Sequence, residues 1–217
     1  MAKIISNNKA KNYIMDDGSI YILDDFEQNS MNELIGNISA MIRELPVVPI
    51  YESKSTIVSP YNTTDENPII DIFIDSNGGS TRVLRDISTL LNYAKAKGAI
   101  IRTTVLSCAY SCGSLLAIQG TPGFRIMAHD AEHMIHFGSS SIYAESQQMM
   151  EHLMERSLNK KKIVNKKYET YTKLPKDKIE ELTTTEGRFL TAEECLKYNL
   201  CDWILGENGQ LTGRGTR

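Results

Sequence analysis

Two short segments of this 217-residue chain hold the residue types that covalent catalysis needs. Ala109-Tyr110-Ser111-Cys112-Gly113 delivers a serine to the start of an apolar run, Gly113-Ser114-Leu115-Leu116-Ala117-Ile118. Twenty-five residues later, Met134-Ile135-His136 ends a short apolar segment on a histidine. A serine at a helix N-terminus stands beside N–H groups without intrahelical acceptors, at the positive end of the helix dipole. Those features stabilise the negative charge that develops on a carbonyl oxygen under attack, and the histidine can supply the base. The chemistry expected is acyl transfer through an activated serine, with peptide-bond hydrolysis as its outcome.

A third segment, Ser76-Asn77-Gly78-Gly79-Ser80, follows the apolar run Ile69 to Asp75. Consecutive glycines let backbone approach a ligand without a Cβ in the way. If this turn and the Ser111 turn lay side by side on adjacent parallel strands, the N–H groups of Gly79 and Cys112 would form an oxyanion hole. Each segment alone has a plainer reading: a helix N-cap for Ser111, a structural histidine for His136, a tight turn for the glycines. Cys112 is an alternative nucleophile. Cys108 and Cys112 lack a second Cys/His pair at zinc-ligand spacing, and no Walker pattern occurs, so neither metal nor cofactor is expected. His129, His133 and His152 read as structural.

The elements that must position these residues alternate in type. Ser19 to Leu23 reads as a strand. Ser30-Met31-Asn32-Glu33 has the capping-box pattern, and Leu34, Ile35, Ile38, Met41, Ile42 and Leu45 recur at helical spacing before Pro46. Four of the six prolines fall between Pro46 and Pro68, which predicts a long irregular connection. Ile69 to Asp75 reads as a buried strand, followed by a helix over Val83 to Ala94 that ends at Gly98. Ala99–Val105 and Arg125–Ala128 read as further strands, His133 to His136 as a short apolar segment. Ala144 to Tyr171 reads as a long helix with Met150, Leu153, Met154, Ser157, Val164 and Tyr168 on one stripe. Its lysine run, Lys160-Lys161-Lys162 with Lys166 and Lys167, reads as a solvated face. A helix over Ala192–Tyr198 and a strand over Asp202–Leu205 complete an α/β pattern.

Composition narrows the function classes. A net charge of −3 and the absence of a basic stripe with interleaved aromatics give no case for nucleic acid. No run reaches the roughly 18 apolar residues of a membrane helix, and the N-terminus lacks a signal-peptide core. Four cysteines without an export signal are expected as reduced thiols in a cytoplasmic protein.

Taken in register, the motifs resemble the proteolytic subunit of the Clp protease family over roughly residues 19 to 206. That family's Asn-Ser-Pro-Gly-Gly is similar to Asp75-Ser76-Asn77-Gly78-Gly79, and its Ala-Ala-Ser-Met-Gly to Ala109–Gly113. Its Met-Ile-His is matched by Met134-Ile135-His136. Its Arg-Phe-Leu-Ser-Ala and Tyr-Gly-Leu-Val-Asp resemble Arg188-Phe189-Leu190-Thr191-Ala192 and Tyr198-Asn199-Leu200-Cys201-Asp202.

The resemblance implies a crotonase-like spiral of β-β-α units with a long handle helix, flanked by an N-terminal arm (1–18) and a C-terminal tail (207–217). The 46–68 connection would be an insertion. It implies Ser111 as nucleophile, His136 as general base and the Gly79 and Cys112 N–H groups as oxyanion hole. Gly78, Gly138 and Ser139 would bind substrate. It further implies self-association into stacked seven-membered rings that admit peptides or unfolded chains, and an AAA+ unfoldase as partner.

Three departures stand out. The family's acid immediately precedes Arg-Phe-Leu, where this chain has Gly187; Glu186, one residue earlier and one methylene longer than aspartate, is the candidate acid. The 46–68 connection exceeds the family's usual length. Asp71 puts charge where a hydrophobic docking pocket is expected, although Phe73 fits the pattern. The alternative reading is a catalytically weak or inactive scaffold subunit of a mixed ring. An acyl-CoA hydratase or a signal-peptide peptidase of the same superfold fits less well, the first lacking a Ser/His pair and the second using a serine–lysine dyad.

Overall fold

The computed structural model describes residues 13–16, 18–51, 59–61, 66–137, 145–184 and 186–213. One nine-stranded sheet organises them. Its main path runs β1 (Tyr13–Asp16), β2 (Ser19–Ile22), β3 (Ile69–Ser76), β4 (Ile100–Tyr110), β5 (Arg125–Ala128), β8 (Trp203–Leu205) and β9 (Leu211–Gly213). From β2 to β8 every pairing on that path is parallel, while β1 and β9 close the two ends as antiparallel hairpins. This is the α/β architecture the alternating pattern predicts.

Strand β4 is the branch point. Its first half pairs with β5 through Thr103 to Val105, and its second half pairs with β6 (Glu132–Ile135) through Cys108 to Tyr110. Strand β7 (Arg188–Leu190) then adds to β6 antiparallel, with Ile135 opposite Arg188. The sequence reading ended β4 near Val105. The strand instead continues to Tyr110, because its second half exchanges neighbours rather than stopping.

Strand β3 corrects the expectation of a buried run. Its residues alternate between buried and half-buried. Ile70, Ile72 and Ile74 are buried, in the core that includes residues of helices α1 (Gln28–Glu44) and α2 (Thr81–Ala96). The other face carries Phe73 stacked on Tyr21 at 4.6 Å, and Asp71 bidentate to Arg102 at 2.5 and 2.7 Å. The charge noted at Asp71 is therefore paired within the chain. The capping-box reading also fails: α1 starts at Gln28 with Glu27 as N-cap, so Ser30 lies inside the helix.

Described parts of the long connection are pinned to the sheet's far end. Val48 N–H donates to Lys97 O, Asn67 Nδ2 bonds Pro49 O and Gly98 O, and Arg102 donates to Pro60 O. Helix α4 (Gln147–Tyr171) is 25 residues long and buries only Tyr168. Of the stripe read along it, Tyr168 is buried, Met150, Leu153, Ser157 and Val164 are half-buried and Met154 is exposed, while Met149, Leu158 and Ile163, outside that stripe, are exposed in the single chain. Among the described residues, no helix is long and apolar enough to cross a membrane.

Candidate active site

The parallel pairing of β3 and β4 sets the glycine turn beside the serine turn. Ser76 stands opposite Ala109 across an irregularity in register after Ile74. From there the two chains touch. A Cβ on Gly78 would lie 2.7 Å from both Ser111 Cβ and Tyr110 O, and 3.0 Å from Cys112 N. With φ at +106°, this position takes glycine for two independent reasons. Phe26 fastens the turn from the other side, donating to Gly78 O and accepting from Ser80 N–H at 2.8 Å.

Ser111 occupies the corner between β4 and helix α3 (Cys112–Ala117) with φ +54° and ψ −113°. A non-glycine residue there carries backbone strain of about 1–3 kcal/mol, held only where its surroundings over-determine it. Three contacts do so. Ser111 N–H donates to Met134 O at 2.9 Å, Ser111 O accepts from Leu115 N–H, and Gly113 packs against Ser76 O. The sharp strand-to-helix corner lifts the hydroxyl out of the sheet, as in a nucleophile elbow. The sequence showed the small residues but not the strain.

His136 follows β6 directly, so the branch that pairs β6 with β4 brings it to Ser111. Both side chains, with Asn77 and Gly79, line one cleft of about 820 Å³. Cys112 is buried against the same turn, its thiol donating to Gly79 O at 3.1 Å. Burial raises that thiol to about 11, against a smaller lowering from its bond with Ser111. A thiol held neutral is a poor nucleophile, so the Cys112 alternative loses ground to Ser111. The N–H groups of Cys112 and Gly79 belong to two turns in contact, the arrangement an oxyanion hole requires.

The acid position is less complete. Extending the β6–β7 register sets Gly187 beside His136, and a Cβ there would meet His136 Cβ at 3.1 Å and Met134 Sδ at 2.8 Å. Glu186 is exposed next to it. Phe137 N–H is tied to Thr184 O at 3.0 Å, which holds this corner against the base. Gly138 and Ser139 lie outside the described residues.

Two features escaped the sequence reading. His133, one strand position before Met134, is buried and shares a hydrogen-bond chain: Nδ1 to Ser114 Oγ at 3.2 Å, then Ser114 Oγ to Tyr168 OH at 3.1 Å. Burial, with a smaller contribution from Arg125, lowers the imidazole to about 3. This chain joins β6, the serine helix and α4. Second, Lys160 and Lys167 of the lysine run line the cleft instead of only facing solvent. The periodicity at positions 157, 160, 164 and 167 could have shown that they share a face with apolar neighbours.

The α/β sheet branches at one strand and brings a strained serine corner, a glycine turn and a histidine onto one cleft. Comparison with known proteins gives the family. A sequence model of the Clp protease family matches residues 56–208, and the chain belongs to that family, with its crotonase-like fold. It is 28% identical over 148 residues to the ATP-dependent Clp protease proteolytic subunit of Leuconostoc citreum, covering 67% of this chain and 72% of that one. It is 29% identical over 153 residues to the proteolytic subunit of Streptococcus pyogenes, covering 68% and 73%.

Proposed function

We propose that the chain is a serine endopeptidase subunit in which Ser111 is the nucleophile, His136 the general base and Glu186 the acid. The strained corner at Ser111, in contact with the Gly78–Gly79 turn, is the observation that carries this reading. His136 takes the Ser111 proton as Oγ attacks the scissile carbonyl. The oxyanion is received by the Gly79 and Cys112 N–H groups. His136 then gives its proton to the leaving amine, and the acyl-enzyme is hydrolysed by water through the same groups in reverse roles. An acid beside the imidazole fixes its tautomer and stabilises its charged form. Glu186 takes that role from the exposed rim, one residue from the position that would contact His136.

Family membership supports the rest of the reading. Residues 19–206 act as the peptidase domain of a cytoplasmic ring assembly, with Gly78, Gly138 and Ser139 binding the substrate backbone as an added strand. Peptides and unfolded chains reach the site through the ring, delivered by an AAA+ unfoldase where one docks. Gly187 favours a second reading, an inactive scaffold subunit in a mixed ring.

Fluorophosphonate labelling read by intact mass separates the two. The peptidase reading expects stoichiometric labelling of the assembled protein that vanishes in Ser111→Ala. An assembled wild type that takes up no label establishes the scaffold reading.

A further inference from the structure

The cleft that holds Ser111 and His136 is lined by three cationic side chains, Arg85, Lys160 and Lys167, and by no described carboxylate. Arg85 comes from α2, one residue after Leu84, which lines the same cleft. Lys160 and Lys167 come from α4, seven residues apart on one face with Ile163 and Val164 between them. Three cations from two elements thus share the cavity of the reacting serine.

None of the three forms an ion pair among the described residues. The neighbouring Lys166 is the one that pairs with Glu169, at 3.2 Å. Among the described residues, Lys167 reaches the Gln119 side-chain oxygen, at 3.4 Å, which offers a dipole and no charge. Behind Gln119 the field is again positive. Lys95 donates to the Gln119 backbone carbonyl, and it is lowered to about 8 by burial, then by Arg125 and Lys167. The charge on Arg125 is matched by Asp202 at 2.6 Å, but Lys95 has no such partner among the described residues. Burial also lowers Lys167. A half-buried ammonium without a counter-charge favours an anion brought into its cleft.

We propose that Arg85, Lys160 and Lys167 form a subsite for an acidic substrate side chain, so that the enzyme cleaves preferentially after glutamate or aspartate. The subsite rests on the serine-peptidase reading and names its substrate class. It takes the residue on the acyl side of the scissile bond, whose side chain stays beside Ser111 through acylation. The stems of the lysines, with Leu84, Leu115 and Val164, supply the apolar wall along which a glutamate's methylenes lie. Charge-assisted hydrogen bonds then receive the carboxylate.

The test uses peptidyl diphenyl phosphonates that differ only in glutamate or glutamine at the acyl-side position, with leucine as a third member. Intact mass gives the rate of Ser111 modification in the full-length assembly, so turnover is not required. The expected glutamate-to-glutamine rate ratio is about tenfold at low salt, the scale of a charge-assisted contact. It falls in concentrated salt, which screens exposed charge, and drops to about threefold or less in Lys160→Gln/Lys167→Gln. A ratio near one, or a leucine preference that the lysine substitutions leave unchanged, overturns the subsite while leaving the peptidase intact. Failure of every phosphonate and of the fluorophosphonate probe overturns the peptidase reading itself.

Discussion

Two turns flank the candidate base, and they are built very differently. The Ser111 turn joins the central strand β4 to helix α3 and is fixed by contacts from Gly78, Ser76, Met134 and Leu115. The turn at Glu186-Gly187 precedes a three-residue strand at the branch edge, with Arg188 and Phe189 exposed. Strain is tolerated at the first because its neighbours leave no alternative. The second is held by one register and one backbone bond from Phe137. The serine turn holds one geometry from several sides, whereas the edge turn places a glycine, Gly187, beside His136.

The comparison breaks most sharply at the serine turn. Gly78→Ala would drive a Cβ to 2.7 Å from Ser111 Cβ and Tyr110 O at positive φ, with an expected loss of about 2–4 kcal/mol of stability. Urea unfolding checks the loss, and fluorophosphonate labelling should slow in parallel. At the acid turn the expected effect is smaller. Glu186→Gln should slow labelling about 10- to 100-fold, short of the ~10⁴-fold loss on neutralising a buried triad acid. Adding Gly187→Asp to that variant should recover most of the rate, since aspartate accepts the left-handed backbone and Met134 Sδ sits on a movable side chain. Stopped-time mass measurements on the single and double variants decide it; equal rates in wild type and Glu186→Gln would remove Glu186 from the mechanism.

The buried chain under the serine helix sharpens the contrast through pH. His133 is held to about 3 in the folded protein against an ordinary value near 6.5. Between those values the unfolded chain binds a proton that the folded one does not, so stability falls as pH falls through that window. From pH 8 to pH 5 the expected loss is about 2 kcal/mol from this group. The difference in unfolding free energy between pH 8 and 5 should shrink by that amount in His133→Val. The smallest effect lies far from the site: Gly36→Ala, mid-helix in α1 with nothing within 4 Å of the new methyl, should stabilise by about 0.5–1 kcal/mol in the same assay.

Motifs with a local cause were readable before any coordinates. The helix after Ser80, the strand at Arg125–Ala128 and the helix over Ala192–Tyr198 stand where the sequence pattern put them. What escaped depends on partners distant in sequence. Strand β7 is three residues long and exists only because β6 offers an edge; β1 and β9 likewise form by pairing, in segments read as arm and tail. The alternation in β3 was masked by isoleucines on both faces, Ile69 being half-buried and Ile70 buried. At the site, Ser111, His136 and Gly79 line one cleft, with Cys112 bonded to Gly79. The positive lining of the cleft could not be read, because Arg85 and Lys167 are eighty-two residues apart and meet only through packing.

The antiparallel pairing of β6 with β7 also imposes a schedule on biosynthesis. The serine corner and glycine turn lie within residues 76–117, but Glu186 and the strand that braces His136 leave the ribosome some seventy residues later. At ~5–20 residues per second, that is a lag of roughly 4–15 s between synthesis of the serine corner and of the strand that pairs with the segment leading to His136.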